Sequence, residues 1–116
     1  FFHVSGLTYT IDARVPSSVV QNEQGGFVRV DGAYRVKDVM VGGVPLDLTE
    51  DYTVVSNSYI MRNGGNGMTM FDGTPLLRDT AFSDIDAIAD YVKEQGGVVG
   101  EGYENPAGAG RITILE

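Results

Sequence analysis

Between residues 52 and 71 the chain passes from strand-forming residues into a run that can continue neither a strand nor a helix. Tyr52, Thr53, Val54 and Val55 are aromatic or β-branched, suited to a pleated, half-buried surface, and predict a strand over 52–55 that ends near Tyr59. Asn63, Gly64, Gly65, Asn66 and Gly67 follow. All five tolerate positive φ, and glycine admits close backbone approach. Residues 68–71 turn apolar again, so the loop is anchored at both ends, as functional loops on a rigid support commonly are. The pattern alone also admits a plainer reading, a glycine-rich turn between two core elements.

Sixteen glycines in 116 residues are about twice the usual share of roughly 7%, which argues for turns and loops and against a helical bundle. The length suits one domain, 1–116, large enough to bury a core. A net charge of −8 without any cluster of Lys or Arg lacks the footprint that nucleic acid requires, and a solvated acidic surface accounts for the excess. Cysteine is absent, which removes disulfides and thiolate chemistry and leaves the redox compartment unread. No apolar run approaches the roughly 18 residues of a membrane span, and no signal-peptide pattern is present. Because the first residue is Phe1, the chain is expected to be a piece of something longer or a processed product.

In order, residues 1–12 read as a strand, with Leu7, Tyr9 and Ile11 alternating with Thr8 and Thr10. Residues 19–21 and 27–30 flank a polar, glycine-containing turn and predict a hairpin. Asp31-Gly32 is a second hairpin signal. Residues 34–41 predict another strand whose apolar phase slips between Val36 and Val39, placing a bulge near Lys37 or Asp38. Gly42-Gly43 turns the chain. Asp47, Glu50 and Asp51 lack the alternating donor spacing of a calcium loop and read as turn acids. The one clear helix is expected over about 84–95: Ser83 caps it, Asp86 completes a capping box, and Ile85, Ile88, Ala89 and Val92 form one apolar stripe. Gly96 and Gly97 stop it. Residues 98–110 read as loop and 111–115 as a closing strand. The expected class is α+β, a mixed or antiparallel sheet with one clear helix.

The chemistry-bearing residues are few. His3 is the sole histidine and sits in an alternating strand, where a structural or partly exposed imidazole is the ordinary role. No second histidine exists for a zinc or binuclear site, and no nucleophile-elbow pattern accompanies a serine. The glycine loop carries no Lys followed by Ser or Thr, so it is not a P-loop. No catalytic and no metal-ligating residue is therefore assigned. Recognition is better served: the Tyr59 ring offers a flat apolar face that suits a nucleobase, and the Asn66 amide could bond a diol. Against these stand a core tyrosine with a satisfied hydroxyl and an asparagine tolerated in the left-handed region.

Four ordered segments carry a resemblance. FFHVSGLTYTID, VGGVPLDLTEDYTVVSNSY, RNGGNGMTMF and AGAGRITI resemble, in that order, the F-L/P-Q-V-S-G opening, the V-N-G-x-P-L-D…Y-T-V-x-x-N-x-Y/F segment, the N-G-G-D-G-F/Y loop and the G-R-I ending of the 5′-nucleotidase C-terminal domain. The resemblance implies the substrate-specificity partner of a metallophosphoesterase, incomplete here at its N-terminus. It implies no cofactor in this chain and two divalent metal ions in an N-terminal domain that hydrolyses the phosphate ester. By position, Tyr59 matches the second of two aromatic rings that sandwich the base, in a loop one residue longer than in some members. Asn66 stands where the family has an Asp that contacts the ribose hydroxyls, shaped by Gly64, Gly65 and Gly67, and Met68 where Phe or Tyr is usual. The implied partners are a nucleoside or nucleotide and the N-terminal metallophosphoesterase domain, and the implied location is extracellular, cell-surface or periplasmic. The exchanges at Asn66 and Met68 leave open a non-catalytic binding or scaffolding module that has lost nucleotide affinity. A carbohydrate-binding module with Tyr59 as its platform is a weaker third reading.

Overall fold

A computed structural model describes residues 3–79, 82–97, 100 and 110–116. Its organising strand is β1 (Leu7–Asp12), flanked on one side by β4 (Val36–Val41) and on the other by β6 (Ile112–Leu115). β4 runs antiparallel to β1, while β6 runs parallel to it with Tyr9 opposite Ile112 and Asp12 opposite Leu115. β5 (Val44–Pro45) completes the sheet in the order β5-β4-β1-β6. Gly42 and Gly43, at φ +59° and +84°, form the tight β4–β5 turn, the pair of left-handed residues that matches the strand twist. Pro45 sits on the edge strand, where a missing N–H removes little from the ladder.

The phase slip in β4 is a bulge. Thr8 stands opposite Met40 and Thr10 opposite Lys37, so Asp38 and Val39 together face Tyr9. Asp38 adopts φ +53°, a conformation that a short polar side chain tolerates. β2 (Val19–Gln21) and β3 (Phe27–Val30) form the expected hairpin as a separate two-stranded sheet. The second turn signal, Asp31-Gly32, makes no hairpin, because β3 and β4 belong to different sheets. Ser18 holds this link at its start, accepting from Asp31 N at 2.7 Å and donating from Oγ to Ala33 O at 2.6 Å. The Arg35 guanidinium then donates to the carbonyls of Val15 and Ala13 and steers the chain toward β1.

Two further expectations fail. The opening strand begins only at Leu7, because Gly6 at φ +78° breaks the extended run; Phe1 and Phe2 lie outside the described residues. Residues 52–55 form no strand, since none of the described residues pairs with them. Val55 is 92% exposed. The Tyr52 hydroxyl accepts from Asp47 N at 3.0 Å, so this ring closes a turn instead of joining a ladder. Asp47 is itself a turn acid: its carboxylate takes the Thr49 hydroxyl and N–H at 2.7 and 2.8 Å, which holds its pKa below the ordinary value.

β1 ends on a buried charge. Asp12 accepts from Arg14 Nε and Nη2, each at 2.7 Å, and from Lys37 Nζ at 3.0 Å. The Arg14 hydrogen bonds first, and then that of Lys37, hold its carboxyl well below the usual carboxylate range. α1 (Ser58–Met61) is a single turn, and α2 (Asp84–Glu94) matches the expected helix. Ser83 Oγ accepts from Asp86 N at 3.1 Å and donates to the Asp86 carboxylate at 2.7 Å. Gly96, at φ +81°, and Gly97 turn back onto the carbonyls of Lys93 and Val92. The apolar stripe is present, yet Ile85 and Ile88 face solvent. Among the described residues Ile60, in α1, is the buried hydrophobic side chain. The expected loop over 98–110 lies outside the described residues except for Gly100 and Gly110.

Candidate functional site

Asn57 starts the site. Its side chain accepts from Ile60 N at 3.1 Å and caps α1, so Tyr59 lies on a helical turn, not at a strand end. One turn of helix sends neighbouring side chains in different directions. Ile60 goes inward, and Tyr59 is left 54% exposed. The sealed core tyrosine is therefore not what forms.

Past α1 the chain doubles back. Gly64, Asn66 and Gly67 take φ values of +60°, +55° and +78°, which brings Gly65 against the Tyr59 ring. A Cβ on Gly65 would lie 2.5 Å from both Tyr59 Cδ1 and the Tyr59 carbonyl oxygen. Only a residue without a side chain fits there. The Tyr59 hydroxyl then donates to Asn66 Oδ1 at 3.3 Å. Tyr59, Gly65 and Asn66 are thus brought together: an exposed ring, a bare backbone against it, and a carboxamide at its polar end. Asn66 keeps two N–H donors and a further lone pair for an outside group.

Gly64 and Gly67 do not join that surface. They line an open cleft of about 320 Å³ with Asn22, Gln24 and Gly26 of the β2–β3 turn and with Thr69. Much of the cleft's polarity is used internally. Asn22 Oδ1 accepts from Gly26 N and Gln24 N at 2.7 and 3.1 Å, Thr69 Oγ1 donates to Phe27 O at 2.7 Å, and Arg62 pairs with Asp79 at 3.0 Å. The cleft is a seam between loop and hairpin. Thr69 and the hairpin turn are absent from the sequence-derived set, and a contact spanning 42 residues leaves no local signal that would reveal it. Met68 is half-buried between two short 3₁₀ turns, Gly65–Gly67 and Thr69–Phe71.

Among the described residues no three His, Asp or Glu side chains converge in a way that could hold a metal ion. Nor is any helix among them long and apolar enough to cross a membrane.

Residues 1–73, the span that holds Tyr59 and the whole glycine loop, match the family described as 5′-nucleotidase, C-terminal domain. The chain belongs to this family. It is similar to the 5′-nucleotidase of Diplobatis ommata, 38% identical over 72 residues, which are 62% of this chain and 11% of that protein. Protein 5NUC of Lutzomyia longipalpis is 31% identical over 71 residues, 61% of this chain and 11% of its own length. The trifunctional nucleotide phosphoesterase protein YfkN of Bacillus subtilis (strain 168) is 26% identical over 92 residues, 79% of this chain and 6% of its own length. The matched stretches thus cover only a small fraction of these relatives. No solved structure matches the chain. The mixed sheet with one regular helix is the α+β architecture expected of the family domain.

Proposed function

We propose that the Tyr59–Gly65–Asn66 surface binds the nucleoside part of a nucleotide whose phosphate ester is hydrolysed by a metallophosphoesterase domain outside this chain. The observation that carries the reading is the half-exposed Tyr59 ring tied through its hydroxyl to Asn66 across a glycine that admits no side chain. A flat ring stacks on a base, at about 1–3 kcal/mol. The Asn66 amide at the ring's end can donate to one ribose hydroxyl while its oxygen accepts from another. Compared with a carboxylate at this place, the amide gives up a charge-assisted bond about twice as strong as a neutral one. Gly64 and Gly67 act by shaping the loop. The two metal ions belong to the N-terminal partner domain, and the location is outside the cytoplasm, both by the family resemblance.

The reading is tested by Tyr59→Ala in the full-length parent protein. KM for nucleoside monophosphates should rise about five- to 150-fold, the range that one stacked base supplies, while simple phosphate esters are little affected. Equal loss on both substrates would remove the stacking role. Asn66, neutral where the family carries an acid, favours a second reading, a binding or scaffolding module without nucleotide affinity. Unchanged nucleotide KM in the Tyr59 variant would support it.

A further inference from the structure

The glycine loop is closed within itself by Gly67 N to Gly64 O at 2.9 Å and Met68 N to Gly65 O at 3.2 Å, and it is held from outside as well. Its downstream end is pinned to a hairpin turn 42 positions earlier, where the Thr69 hydroxyl donates to the Phe27 carbonyl at 2.7 Å. Gly26, buried in that turn, lets the two backbones close: a Cβ there would stand 3.2 Å from Thr69 Cγ2. Gly67 abuts the Gly25 carbonyl oxygen so closely that a side chain is excluded, and that oxygen also accepts from Gln21 Nε2 at 2.9 Å. The hairpin turn is in its turn set by Asn22, whose carboxamide oxygen takes two backbone N–H groups. Asn66 is therefore held from two directions, by the Tyr59 hydroxyl on one side and through Thr69 and the hairpin on the other.

We propose that Thr69 is a positioning residue for nucleoside recognition. Its hydroxyl locks the glycine loop to the β2–β3 turn, so that Asn66 stands at the edge of the Tyr59 ring before a ligand arrives. This inference rests on the nucleoside-binding reading and adds the residue that sets it up. A loop released from the hairpin would present Asn66 for only part of the time, and apparent affinity falls by the fraction competent. Thr69→Val keeps the side chain's shape and branching and removes the donor, leaving the Phe27 carbonyl without this partner. Thr69→Ser restores the donor.

The test measures KM for a nucleoside monophosphate and for p-nitrophenyl phosphate, which carries no nucleoside, in the full-length parent protein. Thr69→Val should raise the nucleotide KM about five- to tenfold and leave the p-nitrophenyl phosphate KM within about twofold, the size of one lost hydrogen bond acting on one substrate only. Thr69→Ser should return the nucleotide KM to near the parent value. An unchanged nucleotide KM in Thr69→Val, an equal rise on both substrates, or no rescue by serine would overturn the inference. Tyr59→Ala, run beside them, separates the two levels. If it raises the nucleotide KM and Thr69→Val does not, the positioning role alone falls. If it has no effect, the nucleoside-binding reading falls.

Discussion

Replacing Gly65 by alanine isolates the contact from which the site is built. At an open position with ordinary φ, glycine to alanine stabilises a protein by about 0.4–1 kcal/mol, because the unfolded chain loses freedom. Gly65 has no positive φ, so its backbone would accept alanine, but the new Cβ would lie 2.5 Å from the Tyr59 carbonyl oxygen and from ring carbon Cδ1. Carbon atoms attract best at about 3.5–4.0 Å, so roughly 1 Å must be found. The ring, 54% exposed, can swing aside. The carbonyl, built into the turn of α1, cannot do so without moving the helix. Overpacking of this kind costs about 1–3 kcal/mol, and the backbone contact places Gly65→Ala in the upper half of that range. Denaturant unfolding of the parent, Gly65→Ala, Tyr59→Ala and the double variant would divide the two parts. Removing the ring should relieve about 1 kcal/mol of the cost, a coupling well above the 0.3–0.5 kcal/mol at which effects count as additive. A neutral or stabilising Gly65→Ala, or strict additivity with Tyr59→Ala, would refute the packing argument.

Other outcomes follow from the same geometry. Asp12 has a folded-state pKa depressed by Arg14 and Lys37, so its contribution to stability is present above the unfolded value of 3.8 and is lost as pH falls toward the folded value; thermal melts of Asp12→Asn and the parent should converge in acid and diverge near neutrality. Ser83→Ala removes the hydroxyl that caps α2 and should cost about 1 kcal/mol locally. Because Ile85 and Ile88 face solvent, that loss is expected as faster amide exchange over 84–88 with little change in the melting temperature.

What was legible in the sequence was mostly local. The Ser83 capping box, the Gly96-Gly97 stop and the β2–β3 hairpin depend on residues close in sequence, and each formed as read; the bulge at Asp38 also formed, its phase slip visible within β4 although the strand it bulges against, β1, is distant in sequence. Asp31-Gly32 carried a valid turn signal, but the contacts of Ser18 and Arg35, made from residues 15–22 positions away, decided where the chain went next. Residues 52–55 have strand propensity without a strand, because propensity describes a surface that suits a neighbour and does not provide one. At the site, the left-handed residues of the glycine loop could be read directly. That Gly65 would serve the Tyr59 ring by having no side chain, and that Asn66 would take its hydroxyl, required the one-turn helix that Asn57 caps. Thr69 looked like any loop threonine until the hairpin came up against it.

Calorimetric titration of the full-length parent protein with adenosine tests the central claim most directly, since it reads nucleoside binding without any phosphate chemistry. The account predicts saturable binding that Tyr59→Ala weakens by at least about fivefold, the lower bound for one stacked base. No heat of binding at millimolar adenosine, or binding of equal strength in the parent and the Tyr59 variant, would contradict it.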